Sequence, residues 1–247
     1  MVTNRMAKEP NIHIIMPVKD SIETTERAIR AIVSSGHTLT VYDDNSTPEN
    51  AARLDALHEQ LGIRVVHIAE HVDHPSPNYR WVLRTAQREA LEQNRDLVII
   101  ESDVLVRPDT IDKLIVERAK TASLKEKSPI GMVAAVTVND AGEVNFPYEY
   151  ARKIQTDGPC KKRFSFCCTL LTQELLRAYD FEQLDPEKNW YDVHISHMSV
   201  KLGFENILQV TNPVIHRPHS SRPWKQLKYT NPLLYYWRKL TQRKDRI

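Results

Sequence analysis

Asp96-Leu97-Val98-Ile99-Ile100-Glu101-Ser102-Asp103 is the stretch of this 247-residue chain that indicates the fold most clearly. Its four consecutive apolar residues are typical of a short strand that is buried on both faces of a sheet. Glu101 and Asp103 follow the strand and point to the same side, because side chains on an extended backbone alternate with a period of two. Two converging carboxylates favour a cation between them, and a divalent metal that carries a diphosphate suits this position. The alternative is an ordinary loop that opens at Ser102-Asp103.

This stretch lies within an alternation of strand and helix patterns that predicts βαβ units and a mostly parallel, right-handed sheet. The predicted strands cover residues 12–18, 39–42, 63–68 and 96–100, and the predicted helices cover residues 22–35, 48–61, 79–93 and 108–122. In such sheets, ligands bind outside the carboxyl ends of the strands. Acidic residues follow three of these ends, at Lys19-Asp20, at Asp43-Asp44 and at Glu101 with Asp103. We therefore expect a mixed α/β fold with a polar site at one edge of the sheet.

The pattern changes in the second half of the chain. We predict a strand at residues 130–138, a loop with a hairpin at residues 139–159, an apolar run at residues 163–171, helices at residues 175–179 and 191–202, and short strands at residues 207–210 and 213–216. The resulting division has a first half at residues 1–122 that carries the acidic strand ends, a second half of the same domain at residues 123–216 that would receive a second substrate, and a basic, aromatic tail at residues 217–247.

Composition and charge narrow the class of protein. The net charge of +2 argues against binding of nucleic acid across the whole molecule. Cys160, Cys167 and Cys168 fit neither a disulfide framework nor a zinc-binding spacing, and they indicate small buried residues in a reducing cytoplasm. His67, His71 and His74 lie in one segment without a nearby cysteine, which is typical of a surface feature rather than a zinc site. We expect a cytoplasmic protein.

The tail has a different composition from the rest of the chain. From residue 206 to the end, nine lysines and arginines face a single acid, Asp245, and residues 233–240 are aromatic and basic at helical spacing. This pattern fits a helix that packs on the body with a solvated basic face. It also fits a helix that contacts an anionic membrane surface at the inner face of the membrane.

Five motifs, taken in order, resemble those of the GT-A fold glycosyltransferases of family 2, over residues 12 to 216. They are Ile14-Ile15-Met16-Pro17-Val18-Lys19-Asp20, Val41-Tyr42-Asp43-Asp44-Asn45-Ser46-Thr47, Ile99-Ile100-Glu101-Ser102-Asp103, Asn189-Trp190-Tyr191-Asp192 with Leu202-Gly203-Phe204, and Val214-Ile215-His216. The chain departs from the family pattern twice. Glu101 replaces the first aspartate of the Asp-x-Asp motif, and Tyr191 replaces a customary glutamate.

The resemblance implies an inverting transferase of the kind used in polysaccharide biosynthesis, with a nucleoside-diphosphate sugar as donor and a glycan or lipid-linked glycan as acceptor. It implies a donor site in which Pro17, Val18 and Lys19 line the base and ribose and Asp44 accepts a hydrogen bond from the nucleobase. The same comparison implies that Arg80 or Arg84 approaches the base or diphosphate. Asp44 also suits an Asx turn, and helical arginines are commonly solvated.

The resemblance also implies a metal and a catalytic base. Asp103 would bind Mn²⁺ or Mg²⁺, with Ser102 beside the donor. His216 is a candidate for a further ligand, and its alternative is an ordinary histidine with satisfied hydrogen bonds near a strand end. Glu101 would contact the ribose or a water molecule. Asp192 would be the general base that takes a proton from the acceptor hydroxyl, and its alternative role is to cap a helix.

Two other functions remain open at this stage. A nucleotidyltransferase would also use a parallel sheet and acidic metal ligands, but it usually carries a glycine-rich phosphate loop. The chain has six glycines, and none of them lies between Ile12 and Ser35. A non-catalytic nucleotide-sugar-binding protein is the second alternative, in view of Glu101 and Tyr191. The sequence leaves the sugar, the base, the acceptor and the choice between monomer and homodimer open.

Overall fold

The protein is described by a computed structural model that covers residues 11–122, 128–188, 190–217 and 231–241. The strands in these ranges are β1 (Ile12–Val18), β2 (Thr40–Asp43), β3 (Arg64–His67), β4 (Asp96–Ile100), β5 (Val104–Leu105), β6 (Ile130–Val138), β7 (Gly158–Pro159), β8 (Cys168–Leu171) and β9 (Glu205–His216). The helices are α1 (Ile22–Ser34), α2 (Pro48–Leu61), α3 (Tyr79–Glu92), α4 (Thr110–Ala122), α5 (Gln173–Ala178), α6 (Tyr191–Lys201) and α7 (Pro232–Thr241), with short 3-10 helices at Ile68–Glu70, Glu149–Ala151 and Phe181–Gln183. Asn189 and the parts of the predicted tail at residues 218–230 and 242–247 lie outside the described residues.

Within the described residues, the strands form a single sheet in the order β3-β2-β1-β4-β8-β6-β9-β5, with β7 paired to β9. Strand β1 pairs in parallel with β2 and with β4, and β2 pairs in parallel with β3. This confirms the βαβ pattern that was predicted for the first half. The carboxyl ends of these parallel strands meet at one edge, where the backbone N–H of Asp44 donates to the carbonyl of Val18 over 2.8 Å.

The second half of the chain extends the same sheet with reversed strands. Strand β8 is antiparallel to both β4 and β6, and β9 runs parallel to β6. The prediction of two short strands at residues 207–210 and 213–216 was wrong, because they form the single strand β9. The register of its pairing with β6 shifts between Ala135 and Thr137, so β9 continues as one strand across a local irregularity. The two-residue strand β5, which pairs with the end of β9, was not predicted.

Strand β4 lies at the centre of the sheet and all five of its residues are buried. Val98 and Ile100 pack into one hydrophobic core together with residues of α1, α2 and α4. Leu97 and Ile99 pack into a second core together with residues of α3, α5 and α6. Because successive side chains of a strand point to opposite faces, a strand between two layers of helices needs an unbroken apolar sequence. This confirms the prediction for β4.

Local sequence signals set the ends of α2 as predicted. The Thr47 hydroxyl accepts from the backbone N–H of Asn50 at the start of the helix, and Pro48 occupies the first turn. Gly62 follows the last turn with a φ of 66°, a conformation that glycine adopts without steric strain. The turn between β2 and α2 is therefore fixed beside the edge that carries Asp44.

Candidate active site

Four strand ends bring residues from distant parts of the chain to the carboxyl end of β4. The backbone N–H of Glu101 donates to the carbonyl of Cys167 over 3.1 Å, just before β8 begins. Val104 pairs with His216, the last residue of β9, and the N–H of Arg217 donates to the Asp103 carbonyl over 3.0 Å. The reversed strands of the second half therefore deliver a thiol and an imidazole to the two carboxylates.

His216 can bind a metal when its ring is neutral. Its ring is 3% exposed, and Nδ1 lies 2.7 Å from the carbonyl oxygen of Phe146. A carbonyl oxygen can only accept, so Nδ1 carries the proton and Nε2 keeps its lone pair in the neutral ring. Nε2 lies 3.4 Å from Oδ2 of Asp103. A backbone carbonyl on the second ring nitrogen is the usual support of a metal-binding histidine.

Negative charge accumulates around this histidine. Burial, followed by the charge of Asp103, raises the pKa of Glu101 to about 7. Burial lowers the pKa of His216, but the contact with Asp103 outweighs it and the net change is upward. The donor atoms of Glu101, Cys167 and His216 lie within 4.8 Å of one another. Carboxylate and imidazole ligands around a site of excess negative charge fit a divalent cation.

Asp192 approaches the same cleft from the first turn of α6. Its carboxylate accepts hydrogen bonds from the backbone of Val193 and from the Ser165 hydroxyl, but burial dominates and raises its pKa above the ordinary value. The charge of Asp192 in turn raises the pKa of Glu101, so the two carboxylates share one environment. The N-cap of α6 is Trp190 rather than Asp192. The structure thus places Asp192 near Glu101, which in turn lies beside Asp103 and His216.

Asp44, at the end of β2, is engaged with the segment that leads into α3. Its carboxylate accepts from the Ser76 hydroxyl over 2.7 Å, and from the backbone and side-chain nitrogens of Asn78 over 2.9 and 2.8 Å. The ammonium group of Lys19 donates to the carbonyl oxygen of Asn45 over 2.8 Å. These contacts fix the shape of the strand edge, and nucleobase recognition by Asp44 stays a prediction.

The remaining residues of the predicted donor site occupy different surroundings. Pro17 and Val18 end β1, Val18 is buried, and Ser102 is buried between Glu101 and Asp103. Arg80 donates to the carbonyl oxygens of Leu184 and Glu182 over 2.7 and 2.8 Å. Arg84 donates to the Glu182 carboxylate over 2.6 Å. The two arginines thus tie α3 to the 3-10 helix of the second half, and donor binding by either one stays a prediction.

Three functional candidates were not predicted from the sequence. Cys167 donates from Sγ to Oε2 of Glu101 over 3.2 Å, and Ser165 lies 3.5 Å from the same sulfur. The hydroxyl of Tyr79 is buried and has no hydrogen-bond partner within the described residues. Burial, and then the charges of Glu101 and Asp192, raise its pKa. The adjacent cysteines were interpreted as buried core residues, and no local pattern distinguished Cys167 from Cys168.

The histidine segment is consistent with its interpretation as a surface feature. Nδ1 of His67 lies 2.9 Å from the Asp43 carboxylate, and Nε2 lies 2.9 Å from that of Asp55. His71 stacks on Trp81 with ring centroids 5.5 Å apart. Both nitrogens of His67 are therefore already engaged with carboxylates.

The fold has structural counterparts, whereas no protein-family model and no curated protein match the chain. The 1–349 portion of S. aureus TarS superposes with a TM-score of 0.59 and 12% identity, over 83% of this chain. A longer TarS structure gives a TM-score of 0.59 and 10% identity over 88%, and a mycobacterial protein gives 0.51 and 19% over 87%. The chain spans 60% of the shorter TarS structure, 38% of the longer one and 70% of the mycobacterial protein. These likenesses at low identity show a GT-A-like α/β fold.

Proposed function

We propose that this protein transfers a sugar from a nucleoside-diphosphate sugar to a hydroxyl group of a glycan or lipid-linked glycan, with inversion at the anomeric carbon. The observation that supports this function most strongly is the group formed by Asp103, Glu101 and His216, with the charge of Asp192 acting on Glu101. These residues come from three distant parts of the chain and meet at the carboxyl ends of the strands, where ligands of α/β sheets bind.

The cation of the proposed reaction is Mn²⁺ or Mg²⁺. Asp103 and His216 would hold it, with Glu101 next to them, since oxygen ligands and an imidazole suit both the charge and the size of these ions. When bound, it would stabilise the negative charge that develops on the departing diphosphate. Pro17, Val18, Lys19 and Ser102 would line the nucleotide, and Asp44 would shape its pocket through residues 76–78.

Asp192 is the proposed general base. The acceptor oxygen forms a bond to the anomeric carbon while the bond from that carbon to the diphosphate breaks, and the hydroxyl proton passes to the Asp192 carboxylate. Attack on the face opposite the diphosphate inverts the anomeric centre. Because burial raises the pKa of Asp192, its carboxylate accepts a proton more readily than an exposed aspartate would.

A thermal-shift panel with UDP, GDP, dTDP and CMP, each with and without Mn²⁺, tests nucleotide binding first. A nucleotide at about 100 times its dissociation constant adds about 2.7 kcal/mol to the free energy of unfolding, which such an assay detects. Asp103→Ala should abolish the Mn²⁺-dependent part of this shift. Asp73→Asn, at an exposed loop position, is the matched control. No shift with any nucleotide under either condition would contradict the proposal.

A transfer assay with labelled sugar nucleotides tests the chemistry. Asp192→Asn should keep nucleotide binding and lower transfer by about 10²- to 10⁴-fold, the usual contribution of a general base. Normal turnover by this variant would show that Asp192 is not the base. Nucleotide binding without transfer or hydrolysis of any donor by the unmodified protein would instead indicate a non-catalytic binding protein.

We further propose that α7 contacts an anionic membrane surface that presents a lipid-linked acceptor. Leu233, Tyr236 and Trp237 share one helical face and are 86%, 54% and 59% exposed, whereas Tyr235 is 8% exposed. The apolar face of α7 is therefore turned to solvent, the reverse of a helix that packs on its own domain. The excess of lysine and arginine in the sequence around it favours anionic lipid over a neutral partner. None of the helices in the described ranges is both long and apolar enough to cross a membrane.

Co-sedimentation with vesicles tests this contact. We expect binding to vesicles that contain phosphatidylglycerol, weak binding to pure phosphatidylcholine, and loss of binding in the double variant Leu233→Ser with Trp237→Ser. Leu202→Ser is the matched control, because Leu202 is an exposed leucine on a different helix end. The proposal would be overturned if the double variant sedimented with vesicles as well as the unmodified protein does. It would also be overturned if neither protein bound vesicles and the unmodified protein formed a homodimer that the double variant did not form.

A further inference from the structure

We infer that Cys167 makes the cation site selective for thiophilic metals, so that Zn²⁺ binds there more tightly than Mn²⁺ or Mg²⁺ and blocks access of the diphosphate. This inference rests on the proposed function for the position of the cation. It adds a sulfur ligand from this chain to the carboxylates and the imidazole.

Two pairs of possible ligand atoms at the site have separations close to those in a zinc site. Zinc bonds of about 2.0–2.3 Å place neighbouring ligand atoms of a tetrahedron roughly 3.3–3.8 Å apart. Sγ of Cys167 lies 3.2 Å from Oε2 of Glu101, and Nε2 of His216 lies 3.4 Å from Oδ2 of Asp103. Two pairs of ligand atoms therefore already have nearly the required separation. The ligand atoms of Glu101, Cys167 and His216 all lie within 4.8 Å of one another, and Asp103 lies beside this group through His216.

The ligand set decides which metal is preferred. Thiolate and imidazole ligands favour Zn²⁺ and Co²⁺, whereas Mg²⁺ and Mn²⁺ favour oxygen ligands. Binding of Zn²⁺ forms a metal–sulfur bond, breaks the S–H bond of Cys167 and releases the proton to water. A carboxylate oxygen of Glu101 joins the thiolate and the imidazole in this set, and a rotation of the Asp103 side chain toward them would supply a fourth protein ligand. A closed four-coordinate site has no position left for a diphosphate oxygen.

The neighbouring cysteine provides a matched control. Cys168 is fully buried in β8, and burial is the cause that raises its pKa to about 12. The pKa of Cys167 is raised by burial and in addition by the carboxylate of Glu101. The two thiols are adjacent in sequence and similar in exposure, but it is Cys167 that contacts a ligand of the proposed site.

Titration of the full chain with Co²⁺ tests the inference without any measurement of activity. A thiolate bound to Co²⁺ produces a charge-transfer absorption in the near ultraviolet. We expect this absorption in the unmodified protein and in Cys168→Ser, and its loss in Cys167→Ser. In competition titrations, Zn²⁺ should bind Cys167→Ser at least about tenfold more weakly than the unmodified protein. Loss of a metal ligand should weaken binding at least as much as loss of a residue that only orients a ligand. Circular dichroism monitors the folding of each variant, and Cys167→Ala replaces the serine variant if the latter is unfolded.

The second arm of the experiment separates this inference from the proposed function. Zn²⁺ should remove the Mn²⁺-dependent thermal shift given by the nucleotide panel in the unmodified protein, and it should do so far less in Cys167→Ser. No charge-transfer band alongside a normal Mn²⁺-dependent nucleotide shift would overturn the role of Cys167 and leave the proposed function standing. A band that persists in Cys167→Ser would also overturn it. A band without any nucleotide shift would support the metal site and contradict the transferase.

Discussion

Replacement of Glu89 by glutamine tests how α3 is held against the parallel strands β1, β2 and β3. The Glu89 carboxylate accepts two hydrogen bonds from Arg64 of β3, over 2.9 and 3.0 Å, and one from the hydroxyl of Tyr42 of β2, over 3.1 Å. Nε2 of His13 of β1 lies 3.3 Å away. One carboxylate thus connects α3 to three parallel strands, and α3 begins at the candidate active site with Tyr79.

The magnitude follows from the pKa of Glu89. Burial raises this pKa, but hydrogen bonds from His13 and Arg64 lower it more, from 4.5 to about 2. Such a difference corresponds to at most about 3.4 kcal/mol of stability in the ionised form. Arg64 is half exposed, and screening by water reduces the expected contribution to about 1.5–2 kcal/mol. Because the folded pKa lies below the unfolded one, this stabilisation is present above pH 4.5 and is lost as the pH falls toward 2.

Urea denaturation at a series of pH values measures the effect. At pH 7 we expect Glu89→Gln to lower the free energy of unfolding by about 1.5–2 kcal/mol, and we expect the difference from the unmodified protein to shrink below about pH 4. Glu92→Gln, at an exposed position at the end of the same helix, should have little effect. A difference that stays constant from pH 7 to pH 3 would show that the charge of Glu89 does not stabilise the fold.

Three further predictions concern packing and titration. Gly131→Ala would place a methyl group 2.1 Å from the Ser199 hydroxyl oxygen. We therefore expect the free energy of unfolding to fall by about 1–3 kcal/mol, measured as a lower urea midpoint. Ser199→Ala in the same chain should restore part of this loss. Since burial raises the pKa of Asp192, the pH profile of kcat/KM for transfer should fall on its acid side with an apparent pKa above the ordinary aspartate value, and a profile that stays flat down to pH 4 would contradict this. Burial lowers the pKa of His67, but its two carboxylate partners together raise it by a larger amount. A proton NMR titration should therefore find this pKa above 6.5. Replacement of Asp55 by asparagine should lower it again.

Much of the first half could be predicted from the sequence because its signals are local. Apolar runs, a proline after Thr47 and a glycine after Leu61 mark the ends of their own elements without help from the rest of the chain. The bounds of α2 matched the structure. The second half was harder to predict. Strand β5 has only two residues and β9 contains an irregular step, and neither feature has a period that a sequence window can detect.

The sequence by itself determined that the buried parallel strands end in acidic residues. Because the strands are parallel and their side chains alternate with a period of two, Asp44, Glu101 and Asp103 lie at one edge of the sheet. The tertiary structure decided which groups meet these acids. Strand β8 runs antiparallel to β4 and so sets Cys167 beside Glu101, while the end of β9 sets His216 beside Asp103. It also directed Arg80 toward the carbonyl oxygens of the second half. Contacts between segments 66 or more residues apart depend on strand order and direction, which residue patterns within a single segment do not encode.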